Sequence, residues 1–394
     1  MKFLREYIEE RGNLKGVKVL IRLDLNVPVA KGRVVNDFRI RSILPTLTML
    51  KNAGARTIII SHIETVAADG GPTLAPVAAY MKTLGISATF VAKYAGALGA
   101  IEKMQDGNII ILENLRVNEG EKKNDAGFAK ELASLADIYV NDAFAVSHRE
   151  HASLCAVTQF LPSFAGPLLE QEIKNLSSAF NPDPLTGRPF LFILAGAKFE
   201  TKMPLIEKFM TIADKAFIGG ALSNDFFKAK GIEVGKSKLS AKPFDLSRFM
   251  ASSKLLLPVD VVTVTDVARA SGGQGMIKSL SAITPADTIM DSGPETVRML
   301  GEQIASAKYI LWNGPLGAYE QGFKQPTLSL ARMIAAATAR GAHTVVGGGD
   351  TVATIADLGI EDKFSFVSTG GGAMLDFLAK GTLAAIEALE RANN

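Results

Sequence analysis

Gly347-Gly348-Gly349-Asp350-Thr351 stands between an apolar, β-branched run and a stretch that can form a helix. Glycines let a chain bend tightly and bring its backbone close to a ligand, and Asp350 or Thr351 can cap the helix that follows. A helix N-terminus behind such a turn exposes amides to an anion, most often phosphate. The Asp350 carboxylate beside it suits a hard cation such as Mg2+ that bridges to phosphate oxygens. An ordinary βα turn would need the same glycines. A second turn of the same kind, Ser368-Thr369-Gly370-Gly371-Gly372, favours phosphate. Lys198 and Lys202 start another helix, four residues apart and so on one face. Lysines oppose the positive end of a helix dipole, so this placement points to a strongly anionic ligand.

The first half of the chain offers a different set. Asp24, Asn26, His62, Arg116 and Arg149 each fall just past a short apolar run, and Arg39 opens the first amphipathic stretch. In an open parallel α/β sheet the strand ends share one crevice, where these residues could converge. Guanidiniums offer bidentate forks to carboxylate or phosphate, so they suit a small, multiply charged anion. Taken singly, each arginine reads more readily as a surface solubiliser. His148 and His151 lack a third metal ligand, and His148-Arg149-Glu150 lacks the Asp and Asn of a protein-kinase catalytic loop.

Strands followed by helices must hold these residues. Val17 to Leu23, Thr57 to Ser61, Thr89 to Val91, Asn108 to Leu112 and Ile138 to Asn141 read as buried strands. Asp37 to Ala53, Leu74 to Leu84 and Ala126 to Leu135 read as helices between them, the alternation of a doubly wound parallel sheet. Phe164 to Phe180 reads as one amphipathic helix, and the Pro-rich run Asn181 to Pro189 as a linker. Alternation resumes with strands at Phe190 to Leu194, Lys215 to Gly220 and Tyr309 to Trp312. Helices are expected at Leu222 to Ala229, Pro294 to Ala307 and Thr327 to Arg340, with Ala373 to Ala392 closing the chain as helix.

With 394 residues, two domains are expected. A net charge of +3 on 43 basic and 40 acidic residues gives no broad polyanion-binding surface, so no nucleic acid is expected. The single cysteine, Cys155, excludes an internal disulfide and fits a reducing compartment, the cytoplasm. Met1 to Arg11 is charged, and no apolar run approaches the roughly 18 residues of a membrane span. Gly231 to Ser237 misses a Walker A loop because Lys230 stands where its first glycine is required, and no dinucleotide fingerprint occurs.

Over essentially its whole length the chain resembles phosphoglycerate kinases. The likeness rests on Arg22-Leu-Asp-Leu-Asn-Val-Pro28, Leu112-Glu-Asn-Leu-Arg116, Val140-Asn-Asp-Ala-Phe144, His148-Arg-Glu-His-Ala-Ser153, Gly196-Ala-Lys198, Trp312-Asn-Gly-Pro315, Gly347-Gly-Gly-Asp-Thr351 and Ser368-Thr-Gly-Gly-Gly372, in the family's order and spacing. The resemblance implies an α/β fold of two Rossmann-like domains with parallel sheets: a 3-phosphoglycerate domain over 1–163, a hinge helix and linker over 164–189, and a Mg-nucleotide domain over 190–379. Residues from about 380 would pack back on the first domain. It implies a monomer that transfers a phosphoryl group reversibly between 1,3-bisphosphoglycerate and ADP, giving 3-phosphoglycerate and ATP, with Mg2+. Asp24, Asn26, Arg39, His62, Arg116 and Arg149 look like the triose site. Gly196, Ala197, Lys198, Lys202, Gly219, Gly220, Asn313, Pro315, Glu320, Gly348, Gly349, Asp350 and Thr351 look like the nucleotide site, with Asp350 on the metal. Arg39, Lys198, Lys202, Gly371 and Gly372 would touch the phosphoryl group in flight, which fits a reaction that needs positioned cations and amides rather than a covalent nucleophile.

The chain also departs from the pattern. The family usually continues Leu-Gly-Arg-Pro after its histidine; here Ile63-Glu64-Thr65-Val66 follows His62, so one phosphate ligand is missing and Glu64 would repel the triose if it faces the crevice. Ala145, Ala195 and Ala221 replace usual glycines, and Ile289 replaces a glycine of the nucleotide pocket. Three readings follow: an active kinase with a weakened triose site, a kinase for another small carboxylate, or a nucleotide-binding relative that does not turn over. Retention of Lys198, Asp350 and both glycine turns argues against the last.

Overall fold

The computed structural model describes residues 1–64, 71–267 and 272–393, so Thr65 and Val66 lie outside the described residues. The chain forms two compact units, Met1–Lys174 joined by the chain from Lys380 on, and Asn175–Ala379. No helix among the described residues is long and apolar enough to cross a membrane.

The first unit contains β1 (Lys18–Leu23), β2 (Val29–Ala30), β3 (Arg33–Val34), β4 (Arg56–Ile60), β5 (Ala88–Val91), β6 (Ile109–Leu112), β7 (Ile138–Asp142) and β8 (Ser163–Ala165). Six of them make a parallel sheet in the order β5-β6-β4-β1-β7-β8, while β2 and β3 form a small antiparallel ribbon. Helices cover both faces of such a sheet, which is why its strands read as near-continuous apolar runs such as Arg-Thr-Ile-Ile-Ile in β4. The order places β1 in the middle, and the residues after β1, β4 and β6 emerge side by side at one sheet edge.

The second unit contains β9 (Phe190–Leu194), β10 (Lys215–Ile218), β11 (Leu255–Leu256), β12 (Asp260–Val264), β13 (Met276–Ser279), β14 (Thr288–Ser292), β15 (Tyr309–Asn313), β16 (His343–Gly347) and β17 (Phe366–Val367). Its parallel sheet runs β11-β10-β9-β15-β16-β17. Registers of Asn313 with both Leu194 and Gly347 set three strand ends level, so the turns after β9, β15 and β16 meet. Beside this sheet β13, β12 and β14 form an antiparallel one that the sequence reading omitted. The β-branched run Val261-Val262-Thr263-Val264 in β12 was the available signal.

Three expected helices are corrected, the first being Asp37 to Ala53, which is two helices, Phe38–Ser42 and Leu44–Asn52. Phe164 to Phe180 is not one helix: Ser163–Ala165 is a strand paired with β7, and the helix is Pro167–Ser177. The edge of the sheet captures Phe164, Pro167 lacks an N–H and suits a first helical residue, and Asp142 accepts from the Leu169 amide at 3.0 Å. Likewise Ala373 to Ala392 is two helices, Gly372–Lys380 and Ala384–Arg391, parted at Gly381, whose φ is +84°. The last helix packs Ala385 and Ala388 against Val146, Leu154 and Cys155 of the first unit.

Candidate functional site

In the first unit Asp24 follows β1 directly and is buried, with Arg39 Nη1 3.0 Å from its Oδ2. The same Arg39 nitrogen donates to the Asn26 carbonyl at 2.9 Å, which ties the opening of the helix Phe38–Ser42 to the β1 turn. Asn26 is held from both ends, its amide donating to Asp24 Oδ1 at 3.1 Å and its side-chain oxygen accepting from the Glu64 amide at 3.0 Å. His62 follows β4 and is 1% exposed. Its pKa lies far below the ordinary range because of burial first, and then because Arg22, Arg116, Arg149 and Arg39 all act on it. Four guanidinium charges therefore act on one imidazole, a field that a multiply charged anion would relieve. Arg116 keeps a buried Nε without an acceptor among the described residues.

Two features of this half were not legible in advance. Arg22, inside the apolar run of β1, is 1% exposed and belongs to the cluster; a lone arginine in a buried strand was the available signal, because buried charge needs a partner. Glu64 does not merely face the crevice: its carboxylate is ion-paired with Arg116 and is held below the usual range mainly by that hydrogen bond. His151 lies 3.7 Å from the buried Glu121 carboxylate, and burial with the Arg116, Arg149 and Arg22 charges holds it at about 4.

In the second unit a cavity of about 480 Å3 is lined by Gly196, Ala197, Gly220, Pro315, Glu320 and Asp350 at the strand ends, and by Ile289, Met290 and Asp291 from β14. That is the size of a small-molecule or nucleotide site. The antiparallel sheet supplies the far wall, including Ile289. Gly220 is needed for closeness, since an added Cβ there would stand 2.5 Å from the Gly196 amide nitrogen. Gly219 is buried against Phe217 and does not line the cavity.

Lys198 and Lys202 do not behave as an equivalent pair. Lys198 is the exposed residue capping the helix Phe199–Ile212, whereas Lys202, one turn in, is buried and donates to the Ala195 carbonyl. Burial pulls Lys202 down to about 8, with Asp350 opposing and Lys198 adding to the shift. Asn313 is buried and donates from Nδ2 to the Gly347 carbonyl at 2.9 Å, and Gly348, at φ +104°, caps the helix Gly349–Leu358. Gly349 and Asp350 are exposed in its first turn. Thr351 is fully buried, and its hydroxyl accepts from the Gly314 amide at 2.8 Å, so it fastens the β15 turn. Gly371 has φ +51° and Gly372 starts the next helix, leaving early helix amides without intrahelical partners. Sequence reasoning missed Asp291, a buried cavity carboxyl pushed up to about 8 by burial.

The sequence profile described as Phosphoglycerate kinase matches residues 9–381. The chain belongs to the phosphoglycerate kinase family. The curated phosphoglycerate kinase of Histophilus somni is 39% identical over 394 residues, covering 97% of each chain, and that of Synechococcus elongatus is 39% identical with 96% and 97% covered. Among solved structures, phosphoglycerate kinase from Coxiella burnetii superposes with a TM-score of 0.81 at 34% identity, covering 96% of this chain and 97% of that one. The enzyme from Pyrococcus horikoshii gives 0.83 at 28% identity with 100% and 99% covered.

A pH effect follows from Lys202. An anion would meet Lys202 best as the ammonium, which the free protein loses above about 8. Nucleotide affinity should hold below that pH and weaken by up to about tenfold per unit above it, with proton uptake on binding. Calorimetry from pH 7 to 10 in buffers of different ionisation enthalpy checks this; flat affinity to pH 10 would remove Lys202 from the phosphate contacts.

Proposed function

We infer that this chain is a phosphotransferase with a carboxyl group as acceptor, transferring a phosphoryl group reversibly between 1,3-bisphosphoglycerate and ADP. The observation that carries transfer, rather than binding alone, is Lys202. A buried lysine costs stability and is tolerated where a reaction uses its charge. In this reading Arg39, Arg116, Arg149 and His62 hold the triose anion, with Asp24 and Asn26 fixing Arg39. Gly196, Ala197, Gly220, Pro315 and Glu320 frame the nucleoside, and the buried Gly219 only supports the turn beside them. The cations Lys198 and Lys202 and the amides of Gly348, Gly349, Gly371 and Gly372 meet the phosphates, while Asn313 and Thr351 hold the turns that present them.

Asp350 fits a Mg2+ carried in by the nucleotide. Its carboxylate is exposed beside the cavity and makes no hydrogen bond or ion pair with another described residue, and Mg2+ takes one or two carboxylates plus substrate phosphates and water. The ion would neutralise phosphate charge as it shifts toward the leaving oxygen. One chain carries both sets of residues, so the proposed working form is a monomer of 41.9 kDa, to be measured by light scattering.

The direct test supplies Mg2+, ATP and 3-phosphoglycerate and couples the acyl phosphate to a dehydrogenase. Turnover that requires all three supports the reading. Nucleotide binding by calorimetry with no turnover at any triose concentration would instead make the chain a binding protein.

The Glu64–Arg116 pair gives a sharper expectation. An acceptor that already occupies a guanidinium must be displaced by the triose, and an exposed carboxylate partner costs about 1 kcal/mol or less to remove. Glu64→Gln should lower the KM for 3-phosphoglycerate by up to about fivefold with kcat within about twofold. An unchanged KM would mean that Arg116 does not meet the substrate.

A further inference from the structure

The Arg22 guanidinium is buried and fully engaged. Its Nε donates to Ser153 Oγ at 3.1 Å, Nη1 donates to the Leu23 carbonyl and lies 3.4 Å from Ser61 Oγ, and Nη2 lies 3.0 Å from His62 Nδ1. Ser153 in turn is fixed by Glu121, whose two oxygens accept from its hydroxyl at 2.7 Å and its amide at 3.0 Å. Glu121 is 0% exposed and supplies the charge that balances Arg22. The buried network therefore runs Glu121, Ser153, Arg22, His62.

A guanidinium has donors only and keeps its proton near neutral pH. A ring nitrogen at hydrogen-bond distance from one must therefore be an acceptor, and a neutral imidazole whose Nδ1 accepts carries its proton on Nε2. No described residue forms a hydrogen bond with Nε2. The groups that act on the ring are Arg22 from β1, Arg39 from the helix Phe38–Ser42, Arg116 after β6 and Arg149 after β7, all opposing a second proton. The acids nearest them, Asp24 and Glu64, are engaged with Arg39 and Arg116.

We propose that Arg22, held by Glu121 through Ser153, is a positioning residue that fixes His62 as the Nε2–H tautomer, so that His62 meets the anionic substrate as a neutral donor. The alternative tautomer would turn a lone pair toward that anion. The inference rests on the kinase reading only for the identity of the anion; the tautomer itself is a property of the free protein.

The test is a long-range proton–nitrogen NMR spectrum of the wild-type protein with labelled histidine. Its four histidines are few enough for His62 to be assigned by comparison with His62→Gln. The expected result is a His62 ring with a bare Nδ1 and a protonated Nε2 at neutral pH. A ring with the proton on Nδ1, an imidazolium, or a mixture of tautomers would overturn the proposal. Two variants then read the consequence. In Arg22→Met the ring loses its fixed donor but stays neutral, because burial and the Arg116, Arg149 and Arg39 charges still oppose a second proton. Its spectrum should then show a mixture of the two neutral tautomers, and KM for 3-phosphoglycerate should rise about tenfold. Arg22→Lys keeps a donor toward Nδ1 and should keep the single tautomer. A single Nε2–H tautomer in Arg22→Met would overturn the positioning role of Arg22. If Arg22→Met does not fold, the wild-type spectrum still decides. An inactive wild type with the expected tautomer would count against the kinase reading alone, and an active one with the opposite tautomer against this inference alone.

Discussion

Lys202→Met should lower kcat by about 10²- to 10³-fold, the usual loss when one preorganised group facing developing charge is removed, and should leave the protein at least as stable as before. The Lys202 side chain is 7% exposed and reaches the Ala195 carbonyl, and an added Cβ at Gly196 or Gly314 would stand 3.1 or 3.0 Å from its Nζ. Both turns are therefore packed around this ammonium. Burial, the dominant influence on it, already pulls its pKa to about 8, so the charged form is held at a cost. Methionine matches the length and fills the site without that cost, and replacing a buried charge by an apolar group of like volume is often neutral or stabilising. Loss of rate with an unchanged or raised Tm is the signature of a group kept for chemistry. Turnover within about threefold of wild type would remove Lys202 from the transfer step, and a collapse of Tm would make it structural. Lys198 is exposed and has no such packing to lose, so its replacement should leave Tm unmoved whatever it does to rate.

Gly314→Ala should cost on the order of 3 kcal/mol and raise the nucleotide Kd at least about tenfold. Gly314 sits at φ +99°, where an L side chain is strained. Its added Cβ would fall on the Ala195 carbonyl, 2.6 Å from the carbonyl carbon, and neither group is the free end of a flexible chain. The turn cannot yield cheaply, because the Gly314 amide donates to Thr351 Oγ1 at 2.8 Å and its carbonyl accepts from Trp312 Nε1 at 2.9 Å. Moving it separates the turns after β9, β15 and β16 that frame the phosphates. Gly341→Ala is the control: φ is +96° there too, but nothing lies within 4 Å of the added Cβ. It should show only the backbone strain of about 1 to 2 kcal/mol and normal nucleotide binding. Equal losses in the two variants would mean that the β15 turn relaxes, and that its tight approach to Ala195 is not needed.

The sequence alone determined the α/β architecture, because a strand buried on both faces must be a short apolar run and a phosphate turn must be glycine-rich. Both requirements are written in neighbouring residues, as in Val345-Val346-Gly347-Gly348-Gly349. Family motifs then named the residues around the two sets of strand ends. Contacts between distant segments decided the rest. Ser163-Phe164-Ala165 continues an amphipathic pattern locally, yet the open edge of β7 makes it a strand. The three-stranded sheet that walls the cavity depends on pairing β12 with strands on both sides of it in sequence. Spacing makes Lys198 and Lys202 equivalent, but the helix begins between them, so one is a solvent-exposed cap and the other a buried ammonium. Thr351 belongs to a phosphate motif by sequence, and register turns its hydroxyl inward to Gly314. Arg22 and His62 stand 40 residues apart, and only the parallel pairing of β1 with β4 brings the guanidinium within 3.0 Å of the ring. Hydrogen-bond direction, burial and charge pairing depend on what the fold sets opposite a side chain, and a linear pattern does not contain that information.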